Sequence, residues 1–263
     1  MVKREEGQLI AVVGGSGFVG RHTVRALAQR GYRVRAVVRR PDLAGHLQPM
    51  GSVGQIHAVQ GNVRYPDSIA RALEGADGVV NLVGILAKTG AQTFDTVHTS
   101  GARTVAQAAR AAGARRLVHM SALGCSTTSA GQYGRTKAAG EAAVQDAFPE
   151  GVILRPSLVF GPEDDLFNRF AAMARMSPFL PLIGGGRTRF QPIYVGDVAT
   201  AIANACEGRA IPGTIYELGG PEVLSFRALL DRTQLHTGRN RRYLPLPFWF
   251  AKFVAALTAP LPN

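Results

Sequence analysis

Cysteine is scarce in this 263-residue chain, which carries two, Cys125 and Cys206. That excludes a disulfide-stapled scaffold and a cysteine-based metal cluster, and it suits a reducing compartment. No metal site is expected. No apolar run approaches the roughly 20 residues that a membrane-spanning helix needs. Met1 to Glu6 has no apolar signal core, so the expected location is cytoplasmic, the periphery of the inner membrane included. Acid is short too: 18 Asp and Glu stand against 30 Lys and Arg, for a net charge of +12. Lysine supplies just four of those basic residues, so the excess is arginine. The arginines are scattered or paired, as at Arg39-Arg40 and Arg241-Arg242, without interleaved aromatics. Nucleic acid is therefore not an expected partner, whereas an anionic lipid surface or an acidic protein fits the charge.

What the chain does have is glycine in a telling place. Leu9 to Val13 has the composition of a strand buried on both faces. It runs into Gly14-Gly15-Ser16-Gly17-Phe18-Val19-Gly20 and then a helix-forming stretch, Arg21 to Arg30. Gly14 allows the tight turn, Gly17 lets bare backbone approach a pyrophosphate, and Gly20 lets the helix pack on the sheet. An ordinary strand-to-helix turn is the plainer alternative. The strand–loop–helix–strand context favours dinucleotide binding.

The second strand, Arg33 to Val38, ends in Arg39-Arg40-Pro41. NAD-preferring proteins carry an acidic residue about 20 positions past the glycines, for the ribose 2′-OH. Two guanidinium groups here suit a 2′-phosphate instead, so NADP(H) is expected, with NAD(H) the alternative through Asp42. A solvated basic turn is the bland reading.

Alternation continues with strands at Gln55–Val59, Gly78–Val83, Arg116–Met120 and Val152–Leu154. Helices are expected over 67–73 (capped by Asp67), 94–112 and 132–147. This pattern predicts an α/β fold, a Rossmann-type doubly wound parallel sheet. Proline and glycine break the rhythm after Pro156. Residues 1–155 are therefore read as the NAD(P)-binding domain and 156–263 as a small irregular substrate or docking lobe interleaved with it.

Tyr133 and Lys137 stand four residues apart on one helix face, and Ser121 follows the fifth strand. A phenol near pKa 10 is a poor base at neutral pH, so a nearby ammonium would favour the phenolate. Tyr133 could then exchange a proton with a carbonyl oxygen, with Lys137 also holding the nicotinamide ribose and Ser121 orienting the carbonyl. A buried tyrosine and an exposed lysine are the structural alternative. Leu244 to Leu257, with four aromatics, reads as a helix that closes the lobe or docks on a membrane or respiratory partner.

The glycine spacing, Tyr133-x-x-x-Lys137, Arg155-Pro156-Ser-Leu-Val159-Phe-Gly-Pro162, Tyr194-Val-Gly-Asp-Val-Ala199 and Tyr216-Glu-Leu-Gly-Gly220 resemble the extended or atypical short-chain dehydrogenase/reductases of the NAD-dependent epimerase/dehydratase group. Asn81-Leu82-Val83-Gly84, Leu180 to Gly186 and Thr188 to Pro192 are most similar to the subgroup of the NADPH-carrying accessory subunit of respiratory complex I and its bacterial relatives. The resemblance implies a tightly held nicotinamide dinucleotide, contacted also by Asn62, Val63, Leu82, Val83, Gly84, Lys137, Pro156 and Val159. Asn62 stands where many members have an adenine-contacting Asp. The substrate lobe reads as ending early for an extended member, which weakens the alternative of a sugar-nucleotide epimerase, dehydratase or reductase.

Overall fold

The computed structural model describes residues 7–247. In chain order, β1 (Leu9–Val13) leads into α1 (Phe18–Gln29), and β2 (Arg33–Val38) is followed by two short 3₁₀ turns. Then come β3 (Ile56–Gln60), α2 (Pro66–Leu73), β4 (Gly78–Asn81) and a π-helical turn, Asp95–Ser100. That turn continues into α3 (Gly101–Ala111), β5 (Arg116–Met120), α4 (Gln132–Ala147) and β6 (Val152–Pro156). The remaining elements are β7 (Val159–Phe160), α5 (Asp165–Met176), β8 (Phe179–Ile183), β9 (Arg189–Phe190), β10 (Ile193–Tyr194), α6 (Val195–Cys206), β11 (Ile215–Leu218), β12 (Leu224–Ser225), α7 (Phe226–Thr237) and β13 (Arg242–Leu246).

The described residues divide into two compact units, one of residues 7–156 with 195–218, the other of 157–194 with 219–247. Val195–Leu218, read from sequence as part of the second lobe, thus contributes α6 and an edge strand to the first unit. That unit is a seven-stranded parallel sheet ordered β11-β6-β5-β4-β1-β2-β3. The order in which strands are added reverses between β1 and β4, and ligands of open α/β sheets bind in the crevice at such a point.

The β1 side chains alternate between faces. Ala11 and Val13 join Ile69, Leu73, Val105, Leu117 and Val144 in the core under α2, α3 and α4. Ile10 and Val12 are buried on the opposite face, where α1 packs against α6. Leu27, Ile69 and Leu73 have no exposed surface, and each such side chain contributes about 2 kcal/mol of transfer free energy.

Two expectations need correction. Asp67 is not the cap of α2: the helix starts at Pro66 after Tyr65, with no side-chain cap, and Asp67 sits in the first turn. Proline at the first helical position needs no N–H partner, so it sets the start. Leu244 to Leu246 are not helical either. They end β13, which pairs with β8, because Pro245 and Pro247 cannot sustain a helix. The rest of the aromatic segment, from Phe248 on, lies outside the described residues.

The second unit pairs β7 with β10, β9 with β12 and β8 with β13. Phe170 of α5, Leu182 of β8 and Leu230 of α7 form its core. Asp164 caps α5 by accepting from Phe167 N at 2.6 Å, and Ser225 caps α7 by accepting from Ala228 N at 3.1 Å.

Candidate active site

The glycine loop is built as its sequence requires. Gly14 has φ +86°, and its N–H donates to Val37 O at 2.9 Å while its carbonyl accepts from Gly17 N at 3.1 Å. A side chain at Gly20 would lie 2.2 Å from Gly14 O, so the start of α1 closes on the loop. Gly17 is the N-cap of α1, with no side-chain cap and no acid in the first turn. Among the described residues no side chain caps the first N–H groups of α1, which is the donor set a pyrophosphate takes. Gly15 packs on Ala36, and Ser16, Phe18 and Val19 complete the turn; Val19 is buried.

At the end of β2, Arg39 and Arg40 are both exposed. Arg39 Nη1 donates to Gln92 Oε1 at 2.8 Å. Arg40 grips Asp42 through Nε and Nη2, the shorter contact 2.7 Å, and that contact holds the Asp42 carboxyl below its ordinary pKa. A 3₁₀ turn at Pro41–Leu43 brings Asp42 back to Arg40. The pair occupies two of the Arg40 nitrogens, and a ligand phosphate at Arg40 stands beside the Asp42 carboxylate.

Val83 and Leu82, which follow β4, stand against Gly14, and Gly84 lies against the Lys137 ammonium and His98. Asn62 turns inward on its own loop: its Oδ1 accepts from Arg64 N at 3.1 Å. Val63 is buried and packs on Gly101. Pro156 is buried at the end of β6, and its carbonyl accepts from Leu123 N at 2.9 Å. Val159 is in β7 of the second unit, opposite Ile193.

Tyr133 and Lys137 are in α4. The Tyr133 ring stands edge-on to Phe94 and His98, at centroid distances of 6.1 and 5.2 Å. Lys137 is buried, and its Nζ donates to Met120 O at 3.0 Å. Burial lowers its pKa to about 8. The phenol differs from expectation. Burial, followed by the charge of Cys125, pushes Tyr133 above its ordinary value, so the protein alone does not favour phenolate. Among the described residues its hydroxyl has no hydrogen-bond partner.

Ser121, expected from the sequence, meets polar partners that sequence reasoning missed: Cys125, Glu141 and Arg155. Ser121 is buried, and its Oγ lies 3.4 Å from Cys125 Sγ, which donates to Glu141 Oε1 at 3.0 Å. Arg155 clamps Glu141 with two bonds, at 2.9 and 2.6 Å. Burial opposes ionisation of Glu141, yet the bonds from Arg155, Cys125 and Ser121 prevail and its pKa is lowered. Burial first, then the bond to Glu141, raises Cys125, so this thiol is not a ready nucleophile.

His98 accepts from Ile85 N at 3.0 Å through Nε2. Its Nδ1 must then carry the proton toward Thr136 Oγ1, 3.1 Å away. Burial and the Lys137 charge lower its pKa to about 4. His119 lies 3.2 Å from the Asn81 amide, and burial takes its pKa to about 3. Both imidazoles are neutral, so the cations of this layer are Lys137 and Arg155, the latter paired with Glu141. Glu141 follows Lys137 at the same four-residue spacing, a signal the sequence did offer.

The model of the NAD dependent epimerase/dehydratase family matches residues 10–219. The chain belongs to that family. It is 38% identical, over 95% of its length, to the mitochondrial NADH dehydrogenase [ubiquinone] 1 alpha subcomplex subunit 9 of Arabidopsis thaliana, of which it spans 63%. It is 35% identical over 75% of its length to the ceramide reductase of Caulobacter vibrioides, and covers 61% of that protein. Among solved structures, the dTDP-glucose 4,6-dehydratase DesIV of Streptomyces venezuelae, with NAD and TYD bound, superposes with a TM-score of 0.78 at 24% identity, over 91% of this chain and 84% of DesIV. That likeness concerns the fold.

Proposed function

We propose that the first unit binds NADP(H) and serves as a carbonyl reductase site. The observation that carries this reading is the uncapped N-terminus of α1 behind a glycine loop, with Arg39 and Arg40 at the end of the adjacent strand. The loop supplies backbone donors for the pyrophosphate, and the two arginines supply charge for a 2′-phosphate. A reduced nicotinamide supplies a hydride when bound. Tyr133, its hydroxyl unspent, gives a proton to the substrate's carbonyl oxygen. Ser121 donates to the same oxygen once its contacts with Cys125 and Glu141 are released. Lys137, held by Met120 O, stabilises the negative charge left on Tyr133.

Similarity to a reductase and to a complex I subunit supports both a turning-over site and a second reading, in which the nucleotide is retained as structure within a respiratory complex at a membrane. No helix among the described residues is long and apolar enough to cross a membrane. The test is to purify the protein without added nucleotide, denature it, and identify what is released by mass spectrometry. Stoichiometric NADP⁺ or NADPH supports the reading. An empty protein that titrates more tightly with NADH overturns the arginine assignment.

A further inference from the structure

The second unit carries a partly open cavity of about 490 Å³, within the roughly 300–1,000 Å³ of sites that take small organic molecules. Its apolar wall comes from Phe160, Phe167 and Ala171 on one side and Leu224 and Leu229 on the other. The Phe160 ring meets Phe167 edge-on at 6.1 Å and Tyr194 at 5.8 Å.

The side-chain donors of the wall are already spent. Asp164 caps α5. Asn168 Nδ2 donates to Pro162 O at 2.8 Å and to Asp164 O at 2.7 Å. The Thr233 and Thr237 hydroxyls donate to carbonyls of their own helix, Leu229 O and Thr233 O, at 2.9 and 2.8 Å. Arg232 is paired with Glu222, both half exposed, and His236 is exposed, so these three mark the mouth. A cavity that recognises a sugar or a diphosphate must offer free donors and acceptors, because every ligand hydroxyl or phosphate oxygen stripped of water needs a partner. Among the described residues this wall offers no free side-chain donor in its interior. A hydrocarbon needs none.

We propose that the second unit's cavity is a hydrocarbon-chain site that takes the alkyl tail of a long-chain amphiphile and leaves its polar head at Arg232, Glu222 and His236. The inference rests on the second unit alone and stands whether or not the first unit turns over.

The experiment titrates the full chain with octanoate, decanoate and dodecanoate, each below its critical micelle concentration, and then with UDP-glucose. Affinity should rise about fourfold per added methylene, the factor that corresponds to burying one CH₂, and UDP-glucose should not compete. Ala171→Trp, which fills the cavity, should weaken dodecanoate at least tenfold while the Kd for NADPH changes less than twofold. Thr237→Trp, at the end of α7, gives the same reading if Ala171→Trp does not fold. Absent dodecanoate binding, an affinity independent of chain length, or UDP-glucose binding lost in Ala171→Trp each overturns the proposal. Failure of NADPH to bind the wild-type protein would instead sink the reading of the first unit and leave this one standing.

Discussion

Arg40 and Asp42 hold each other two residues apart, and that local pair competes with any ligand for the guanidinium. Asp42→Ala releases Arg40 and should tighten NADPH severalfold, while Arg39→Ala should weaken it about tenfold, the scale of one charge-assisted bond. NADH, which lacks the 2′-phosphate, should change less than twofold in both variants. Fluorescence titration at two salt concentrations checks the set. Tyr133→Phe removes a hydroxyl without a partner among the described residues. It should lower kcat by about 10² or more and leave the melting temperature and nucleotide affinity unchanged, as steady-state kinetics and calorimetry would show. Lys137 loses its proton near pH 8, so activity that needs the ammonium should decline as pH rises through that value. The Tyr133–Lys137 spacing was legible because a four-residue step repeats on one helix face. His98 and His119 were not, since their partners Ile85, Thr136 and Asn81 are 13 to 38 residues away in sequence.

Among the elements, α4 carries the chemistry on one face: Tyr133, Lys137 and Glu141 follow at successive turns. Glu141 ties α4 to β6 through Arg155, with side-chain exposures of 5% and 23%. Removing one partner of a buried pair strands the other. Arg155→Met should therefore cost about 3 kcal/mol in urea unfolding, more than Glu141→Gln, which keeps a hydrogen-bonding group. Strands β1, β2 and β5 and helix α4 begin and end where composition placed them, since each is bounded by glycine or a polar switch. β4 was read as reaching Val83 but stops at Asn81, whose Oδ1 accepts from Val83 N at 3.2 Å and turns the chain. The stretch read as one helix from 94 to 112 opens with the π-helical turn Asp95–Ser100. Such a turn often marks a functional position, and here it carries His98. Nothing in the hydrophobic period announces it, because an extra backbone residue changes the hydrogen bonding without changing composition.

For the molecule as a whole, the two neutral histidines couple stability to pH. Both have folded-state pKa values below the ordinary 6.5, His98 at about 4 and His119 at about 3. Between pH 6.5 and 4 the unfolded chain binds protons that the folded one refuses, so stability falls as pH falls through that window and is complete above it. His98 alone accounts for on the order of 3 kcal/mol. The melting temperature should drop steadily from pH 7 to 4, and His119→Asn should flatten the slope. The doubly wound sheet was legible from the alternation of strands and helices. The second unit was legible only as irregular, because its short strands are set by tertiary pairing rather than by an apolar period. The first unit is also discontinuous in sequence, its edge strand β11 arriving about 60 residues after the β6 it pairs with. At roughly 5–20 residues per second of synthesis, a nascent chain waits several seconds with the β6 edge uncovered. An open edge is a template for pairing with other chains, so the birth of this protein, more than its finished state, is where aggregation threatens and where a chaperone has something to hold.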